Sequence, residues 1–297
     1  MKVRIGYGLG VRASSDDEGF ADLVDGLERH RFDSLWLSER VTGDCPDPIV
    51  GLAVAAGRTQ RLKLGFSVLV LPGRNPMLLA KELATLDRLS GGRLLPAFGL
   101  GAPDAGEHQA FGVERKERAK RFDEVLPLLR RFWTGEPVDH HGAFHRYEQA
   151  RVLPRPAQDP LDIWLGGIAE SELRRCGRLG DGWLPSFCTP ADLRLGIPRI
   201  QEVAAEHGRA IDPEHFGALI PYVEGEIPDL VRAGIAARRP GVDADQVVAS
   251  GLDGLRRMIE QHIEVGGSKF VVIPLAEPPS WDDHLGEVAA AVMPLQT

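Results

Sequence analysis

The residues best placed to do chemistry gather where apolar runs end. Trp164-Leu165-Gly166-Gly167-Ile168-Ala169-Glu170-Ser171 carries the chain from a strand through a glycine pair into a helix, and exposed backbone N–H groups at a helix N-terminus suit a phosphate. The same stretch also reads as a tight turn, and Glu170 and Glu172 in the first helical turn complement the helix dipole while repelling an anion. The residue pattern leaves these two readings level. Gly-Tyr-Gly-Leu-Gly at residues 6–10, with Glu39 further on, has the look of a dinucleotide fingerprint. The third glycine of G-x-G-x-x-G would fall where Val11 or Ala13 stands, however, and no helix follows at once. Small residues that keep space open at the end of a strand are the better reading. Gly99 and Gly101, followed by Ala102-Pro103-Asp104, fail the same test. His140, His141 and His145 lack a carboxylate–histidine helix motif, so they read as solvated residues on a short surface hairpin, and no metal site is expected. No G-x-S-x-G, H-E-x-x-H or Walker sequence occurs, which removes the commonest hydrolase and nucleotide-triphosphatase patterns.

Stepping along the chain, apolar runs near 3–9, 33–38, 62–68, 93–98, 162–166, 182–186, 216–223 and 269–274 predict eight strands. Near-continuous runs of this kind belong to parallel sheets covered by helices. Helical periodicity fills the intervals at about 17–31, 48–60, 76–90, 116–133, 170–179, 190–207, 252–265 and after 280. Asp16-Asp17 opens the first helix, Gly91-Gly92 closes the third and Gly266-Gly267 closes the seventh. Eight alternations predict an α/β protein of the (β/α)8 barrel type, because open doubly wound sheets more often stop at about five to seven strands. In such barrels the loops after the strands carry the chemistry, which singles out 67–75 and 99–108. Two longer stretches, 134–161 and 224–250, read as insertions on a single domain spanning 1–297.

Composition narrows the function classes. With 43% hydrophobic and 26% charged residues, the 297-residue chain has the make-up of a soluble globular protein. A net charge of −8 with basic residues scattered singly or in pairs argues against nucleic acid or an anionic membrane as partner. Cys45, Cys176 and Cys188 form no C-x-x-C pair, so neither a zinc site nor a disulfide framework is indicated, and a reducing cytoplasm fits. The chain enters a strand at Lys2 or Val3 without a leader pattern, and no segment approaches the ~18 apolar residues of a membrane span.

Taken in order, five segments resemble the luciferase-like monooxygenase superfamily, and specifically its deazaflavin branch that uses coenzyme F420. They are F-D-S-L-W-L-S-E-R (32–40), L-G-F-S-V-L-V-L-P-G-R-N-P (64–76), L-S-G-G-R-L-L-P-A-F-G-L-G (89–101), P-R-P-A-Q-D-P-L-D-I-W-L-G-G (154–167) and G-R-L-G-D-G-W-L-P (177–185). The last third, with G-G-S-K-F-V-V-I (266–273), agrees in pattern only. The resemblance implies a luciferase-like barrel with a flavin or deazaflavin across its mouth. It implies a non-proline cis peptide at the end of the third strand, here Ser67-Val68, backing the ring. It further implies cofactor phosphate held at Gly166, Gly167, Ile168 and the following turn, with Ser186 nearby. Gly99, Gly101 and Trp183, at the ends of the fourth and sixth strands, complete the expected cofactor-binding set.

The departures from the family matter equally. Its sugar-phosphate dehydrogenases have Asp-His at the end of the second strand and a Glu after the strand-4 glycines, where this chain has Glu39-Arg40 and Ala102. The imidazole suited to act as base on an alcohol is missing, and a guanidinium stays protonated. The expectation is therefore an F420-dependent oxidoreductase acting on a small organic molecule other than a sugar phosphate. Glu39 and Arg40 would handle protons or orient substrate, and Glu107 and His108 either reach the same space or lie on the surface of a long loop. Two alternatives stay open: an FMN-dependent monooxygenase supplied by a separate reductase, and a non-catalytic flavin- or deazaflavin-binding protein. The resemblance leaves the oligomeric state open; relatives of this kind often pair through helices beside the second and third strands, which makes the apolar stretch 48–58 a candidate homodimer contact.

Overall fold

The computed structural model describes residues 1–11, 17–102 and 104–297. Asp16 and Pro103 lie outside them. The strands are β1 (Arg4–Leu9), β2 (Ser34–Leu37), β3 (Lys63–Phe66), β4 (Leu69–Val70), β5 (Leu94–Leu95), β6 (Ala97–Gly99), β7 (Val138–His141), β8 (Arg146–Ala150), β9 (Trp164–Leu165), β10 (Gly182–Trp183), β11 (Gly217–Val223), β12 (Ala249–Ser250) and β13 (Lys269–Pro274). The helices are α1 (Asp17–Arg29), α2 (Pro48–Arg58), α3 (Pro76–Leu89), α4 (Ala105–Phe111), α5 (Arg118–Trp133), α6 (Glu170–Leu179), α7 (Pro190–Glu206), α8 (Asp229–Arg238), α9 (Gly251–Ile263) and α10 (Trp281–Val292).

One parallel sheet runs β12-β11-β13-β1-β2-β3-β5 and a second runs β10-β9-β6-β4. β3 leads directly into β4 and β5 into β6, while Trp183 bridges Phe216 and Ser186 bridges Leu219. The two sheets thereby close into a ring of eight strands, each followed by helix, as the alternation predicts. The predicted third and fourth strands are each interrupted once. The third breaks at Ser67-Val68, and the fourth at Pro96, which has no N–H to give the ladder but whose carbonyl accepts the Trp164 N–H at 2.8 Å.

Glycines inside the ring make room for large neighbours. A Cβ on Gly6 would lie 2.3 Å from Ser34 Oγ, and one on Gly65 would lie 2.4 Å from the Trp36 ring. Gly6 and Gly8 of the first glycine cluster thus give their space to Ser34, Trp36 and Ile273, so they serve packing inside the ring rather than an open space at the strand end. Trp36, Ala97, Trp164, Leu184, Leu219 and Val271 fill the barrel, and the opposite faces of the strands, with Ile5, Leu35, Leu64 and Val272, bury against the helices.

The insertion at 134–161 carries the β7–β8 hairpin, fastened by the Glu124 carboxylate of α5, which accepts the N–H groups of Ala143, Phe144 and His145 and meets His140 Nε2 at 3.1 Å. His145 stacks on Tyr147. The stretch 224–250, expected as an insertion, carries α8 and a small core of Ile227, Ile235, Val247 and Val248, packed on Phe187, Val223 and Leu275. These last three residues end or follow β10, β11 and β13, so this stretch sits at the C-terminal mouth. Among the described residues no helix is long and apolar enough to cross a membrane.

Candidate active site

The floor of the mouth is built on the interruption of the third strand. Ser67-Val68 is a cis peptide, the one non-proline case among the described residues, and it falls on the bond marked by the resemblance. Ser67 N–H donates to Leu37 O at 2.8 Å, and Ser38 Oγ donates to Ser67 O at 3.0 Å, so the bulge is tied to the end of β2. Beside it, a Cβ on Gly99 would meet Val68 Cγ2 at 2.3 Å. Only glycine lets β6 approach the bulge this closely. Ser67, Val68, Gly99, Gly101, Gly166, Gly167 and Ile168 are all half-buried at strand ends whose bodies are buried.

The turn from β9 into α6 already holds an anion of its own. Ala169, at the helix N-cap, has no side chain to offer, and Glu172 folds back instead, its Oε2 accepting the N–H groups of Ile168 and Ala169 at 3.0 Å each. Gly167 has φ +87°, and a Cβ there would meet the Glu172 carboxylate at 2.4 Å. The repulsion of an anion expected from Glu172 thus takes a specific form, since a carboxylate occupies donors that a phosphate would use. Trp183 is fully buried against Gly196 of α7, and its indole N–H donates to Gly167 O at 2.8 Å. It therefore acts on the turn through the backbone, with its ring directed away from the mouth. Ser186 is exposed at the rim, two residues beyond Leu184 of the barrel core.

The charged residues form two linked pins. Glu39, with a 4% exposed side chain, accepts the Val70 N–H at 2.6 Å and pairs with Arg74, which also donates to Val70 O at 3.0 Å. Burial pushes the Glu39 carboxyl above its ordinary range, and the Arg74 guanidinium and Val70 N–H offset only part of that rise. Arg40 faces Asp104 at 3.3 Å and Glu107 at 3.5 Å. Glu107 is buried on α4 and accepts from Thr42 N–H at 3.1 Å and Thr42 Oγ1 at 2.9 Å. The strand-2 loop is thus clasped to the strand-4 loop through Arg40 and Glu107, while Glu39 pairs with Arg74 beside the bulge. Glu107 lies inside the fold, 1% exposed. Arg74, Thr42 and Ser38 were not singled out in the sequence, although Arg74 stands in the P-G-R-N-P turn directly after the bulge, where a loop residue reaches the mouth.

Two buried polar atoms near this clasp lack hydrogen-bond partners among the described residues: His108 Nε2 and Arg118 Nη2. Arg118 is 4% exposed, and its other terminal nitrogen donates to Gly101 O at 3.2 Å and Ala102 O at 2.9 Å. Both atoms lie on helices, α4 and α5, that follow the strand-4 loop, and both are sealed from solvent.

Comparison with known proteins agrees with this geometry. The F420-dependent glucose-6-phosphate dehydrogenase of Nakamurella multipartita is 32% identical over 225 residues, covering 71% of this chain and 64% of that protein. The chain is thus matched to somewhat less than two thirds of the length of that relative. An F420-dependent secondary alcohol dehydrogenase solved with an F420–acetone adduct superposes with a TM-score of 0.81 at 19% identity over 100% of both chains. The coenzyme F420-dependent tetrahydromethanopterin reductase of Methanopyrus kandleri superposes with a TM-score of 0.79 at 21% identity, again over 100% of both. At these identities the superpositions show a shared luciferase-like barrel. A family model described as luciferase-like monooxygenase matches residues 8–265, and the chain belongs to that family.

Proposed function

We propose that this protein is an F420-dependent oxidoreductase that moves a hydride between C5 of the deazaflavin and a small organic substrate. The observation that carries the reading is the floor of the mouth, where the cis Ser67-Val68 bulge, the close-lying Gly99 and the β9–α6 turn are half-buried at neighbouring strand ends. A planar ring system fits such a floor, and F420 would supply the hydride chemistry itself. Ser67 and Val68 would back the ring, Gly99 and Gly101 would let it lie close, and Gly166, Gly167, Ile168 and Ser186 would meet the phosphate-bearing tail.

The likeness to dehydrogenases named for glucose 6-phosphate supports the cofactor more than the substrate. With Arg40 in place of an imidazole and Ala102 in place of a carboxylate, the chain lacks the base for an alcohol at those positions. Glu39, buried and shifted toward the neutral form, is the group that would hold or release a proton beside the ring, and Arg40 would stabilise negative charge.

The test is an anaerobic titration of the purified protein with F420 and, in parallel, FMN, oxidised and reduced, read by cofactor fluorescence. Tight F420 binding with weak FMN binding, followed by turnover with artificial acceptors, is expected. Preference for FMN would overturn the reading in favour of a two-component monooxygenase, and F420 binding without turnover would leave a carrier.

A further inference from the structure

Between the sheet and the helices, on the outward face of the strands, four side chains form an unbroken polar chain. Tyr7 of β1 and Tyr222 of β11 are 0% and 1% exposed, and their hydroxyls meet at 3.1 Å. Tyr222 Oη then lies 2.6 Å from Nε2 of His284 on α10, and His284 Nδ1 stands 3.3 Å from Oε1 of Glu224, just past β11. Burial raises both phenols, so both stay protonated near neutral pH. Trp281, three residues before His284, packs edge-on to Tyr7 at 6.2 Å between ring centres. His284 is buried, yet it lines a cavity of about 230 Å3 with Glu224, Gly251, Leu252 and Glu287, which gives its ring a route to water without the fold opening.

Counting hydrogens along this chain selects one protonation state. With the ring neutral and its proton on Nδ1, that N–H faces the Glu224 carboxylate, Nε2 accepts from Tyr222, and the Tyr222 oxygen accepts from Tyr7. A proton on Nε2, in the imidazolium or in the other tautomer, turns the ring from acceptor to donor. Three hydrogens then share two links, and one buried hydroxyl is left without an acceptor, because Tyr222 is the partner of Tyr7 Oη among the described residues. Of the elements packed about the ring, β1 and β11 bring the tyrosines and Glu224, α9 presents uncharged Gly251 and Leu252, and α10 itself adds Glu287. The two carboxylates favour a charged ring, but Glu224 is 72% exposed and screened, and burial prevails, holding the imidazole below its ordinary value. On its other side α10 meets α1, where Asp282 engages Arg29 and, at 3.4 Å, His30 Nε2.

We propose that His284 is a pH-operated latch: neutral, it ties the first turns of α10 to β1 and β11, and charged, it breaks the tyrosine chain and loosens the helix together with the β13–α10 connection at the mouth. The latch does not depend on the cofactor assignment. A histidine whose folded-state value lies below the unfolded ~6.5 contributes stability that is fully present above ~6.5 and is lost as pH falls through the folded-state value. The latch therefore opens on the acid side of neutrality, well above the window below about pH 4 in which a buried aspartate such as Asp33 acts.

Hydrogen exchange of the full chain, read by mass spectrometry on a peptide covering residues 281–292 and corrected for the intrinsic effect of pH on exchange, tests this alongside nitrogen NMR of histidine-labelled protein. Protection of that peptide should fall about tenfold between about pH 7.5 and 5.5. The step should vanish in His284→Gln and persist in His30→Gln, which removes the other histidine beside α10. Glu224→Gln, altering a side chain that is 72% exposed, should move the midpoint to lower pH, a shift that a purely structural role for His284 would not produce. The NMR spectrum at neutral pH should show the Nδ1–H tautomer of His284. A step that survives His284→Gln or disappears in His30→Gln, an Nε2–H tautomer, or a midpoint unmoved in Glu224→Gln would each sink the proposal. Should His284→Gln fail to fold, the tautomer and the Glu224→Gln midpoint decide the matter.

Discussion

Removing the Glu172 carboxylate should tighten the hold on a phosphorylated cofactor while loosening the fold. Glu172 accepts two N–H groups at 3.0 Å at the start of α6, where Ala169 contributes no cap of its own. Loss of an N-cap acceptor costs ~1 kcal/mol, and loss of a negative charge at a helix N-terminus adds ~0.3–1 kcal/mol. Glu172→Ala should therefore lower the unfolding free energy by ~1–2 kcal/mol and the melting temperature by a few degrees. The same sum governs the cofactor with opposite sign, because in the parent protein a phosphate must share or displace the donors that Glu172 holds. Freed of that competition, the variant should bind F420 about 5–30 times more tightly, the factor that ~1–2 kcal/mol represents. A deazaflavin nucleoside lacking the phosphate supplies the control, since its ring would touch the same floor and gain nothing. Glu172→Gln, neutral yet still an acceptor, should fall between. The assay is fluorescence titration of both ligands against all three proteins, with thermal melts alongside. If Glu172→Ala leaves the ratio of the two affinities unchanged, or weakens both ligands equally, the phosphate does not lie at this turn and the Gly166-Gly167-Ile168 assignment is wrong.

Other perturbations test other parts of the site. Gly99→Ala places a Cβ 2.3 Å from Val68 Cγ2, so it should cost ~1–3 kcal/mol by overpacking and reduce F420 affinity at least tenfold while far-ultraviolet circular dichroism is preserved; undiminished affinity would mean that the bulge does not back the ring. Arg74→Met strips the guanidinium from a carboxylate that is 4% exposed, and urea unfolding should show a loss of ~2–3 kcal/mol, most of it recovered in the Arg74→Met/Glu39→Gln double variant. Acid titration should report Asp33. Burial alone would raise its carboxyl, but the ammonium groups of Lys269 and Lys63 outweigh that and hold it below the ordinary aspartate value. The stabilisation from a depressed carboxylate is fully present above the unfolded-state value near ~3.9 and is lost as pH falls through the folded-state value, so Asp33→Asn should flatten the stability curve below about pH 4. An unchanged acid limb in that variant would show that the Asp33 pairs contribute nothing measurable.

The fold was legible because its signals repeat: eight apolar runs separated by helical periodicity leave few architectures, and each of the eight reappears in the ring. What periodicity does not encode is where a strand pauses. Phe66-Ser67-Val68-Leu69 reads as continuous strand, and only the resemblance marked its middle bond. α4 was hidden for a different reason, since its seven residues are held by Asp104 accepting the N–H groups of Gly106 and Glu107 and by Gly112 in the left-handed region at φ 60°, with little periodicity of their own. The Glu124 anchor of the hairpin and the Arg74 partner of Glu39 were beyond reach because each joins residues 21 and 35 positions apart whose contact depends on how a loop folds back, which periodicity does not encode.

The pairing of charges at the mouth limits what this chain can contribute to a reaction. Arg40 is committed to Asp104 and Glu107, and Glu107 to Thr42, so a substrate proton passing through either would have to break the clasp that fixes the two loops. Glu39 differs in one respect: burial raises its carboxyl despite the facing guanidinium of Arg74. If hydride moves on a ring seated over Ser67-Val68, proton transfer through Glu39 would release Arg74 from its partner, coupling protonation to the turn that follows the bulge. A substrate whose reduction or oxidation demands a strong base beside the ring is poorly served by this arrangement. Under the proposed function, one that accepts or loses hydride with its charge stabilised by a fixed guanidinium and a single shared proton would be the better match.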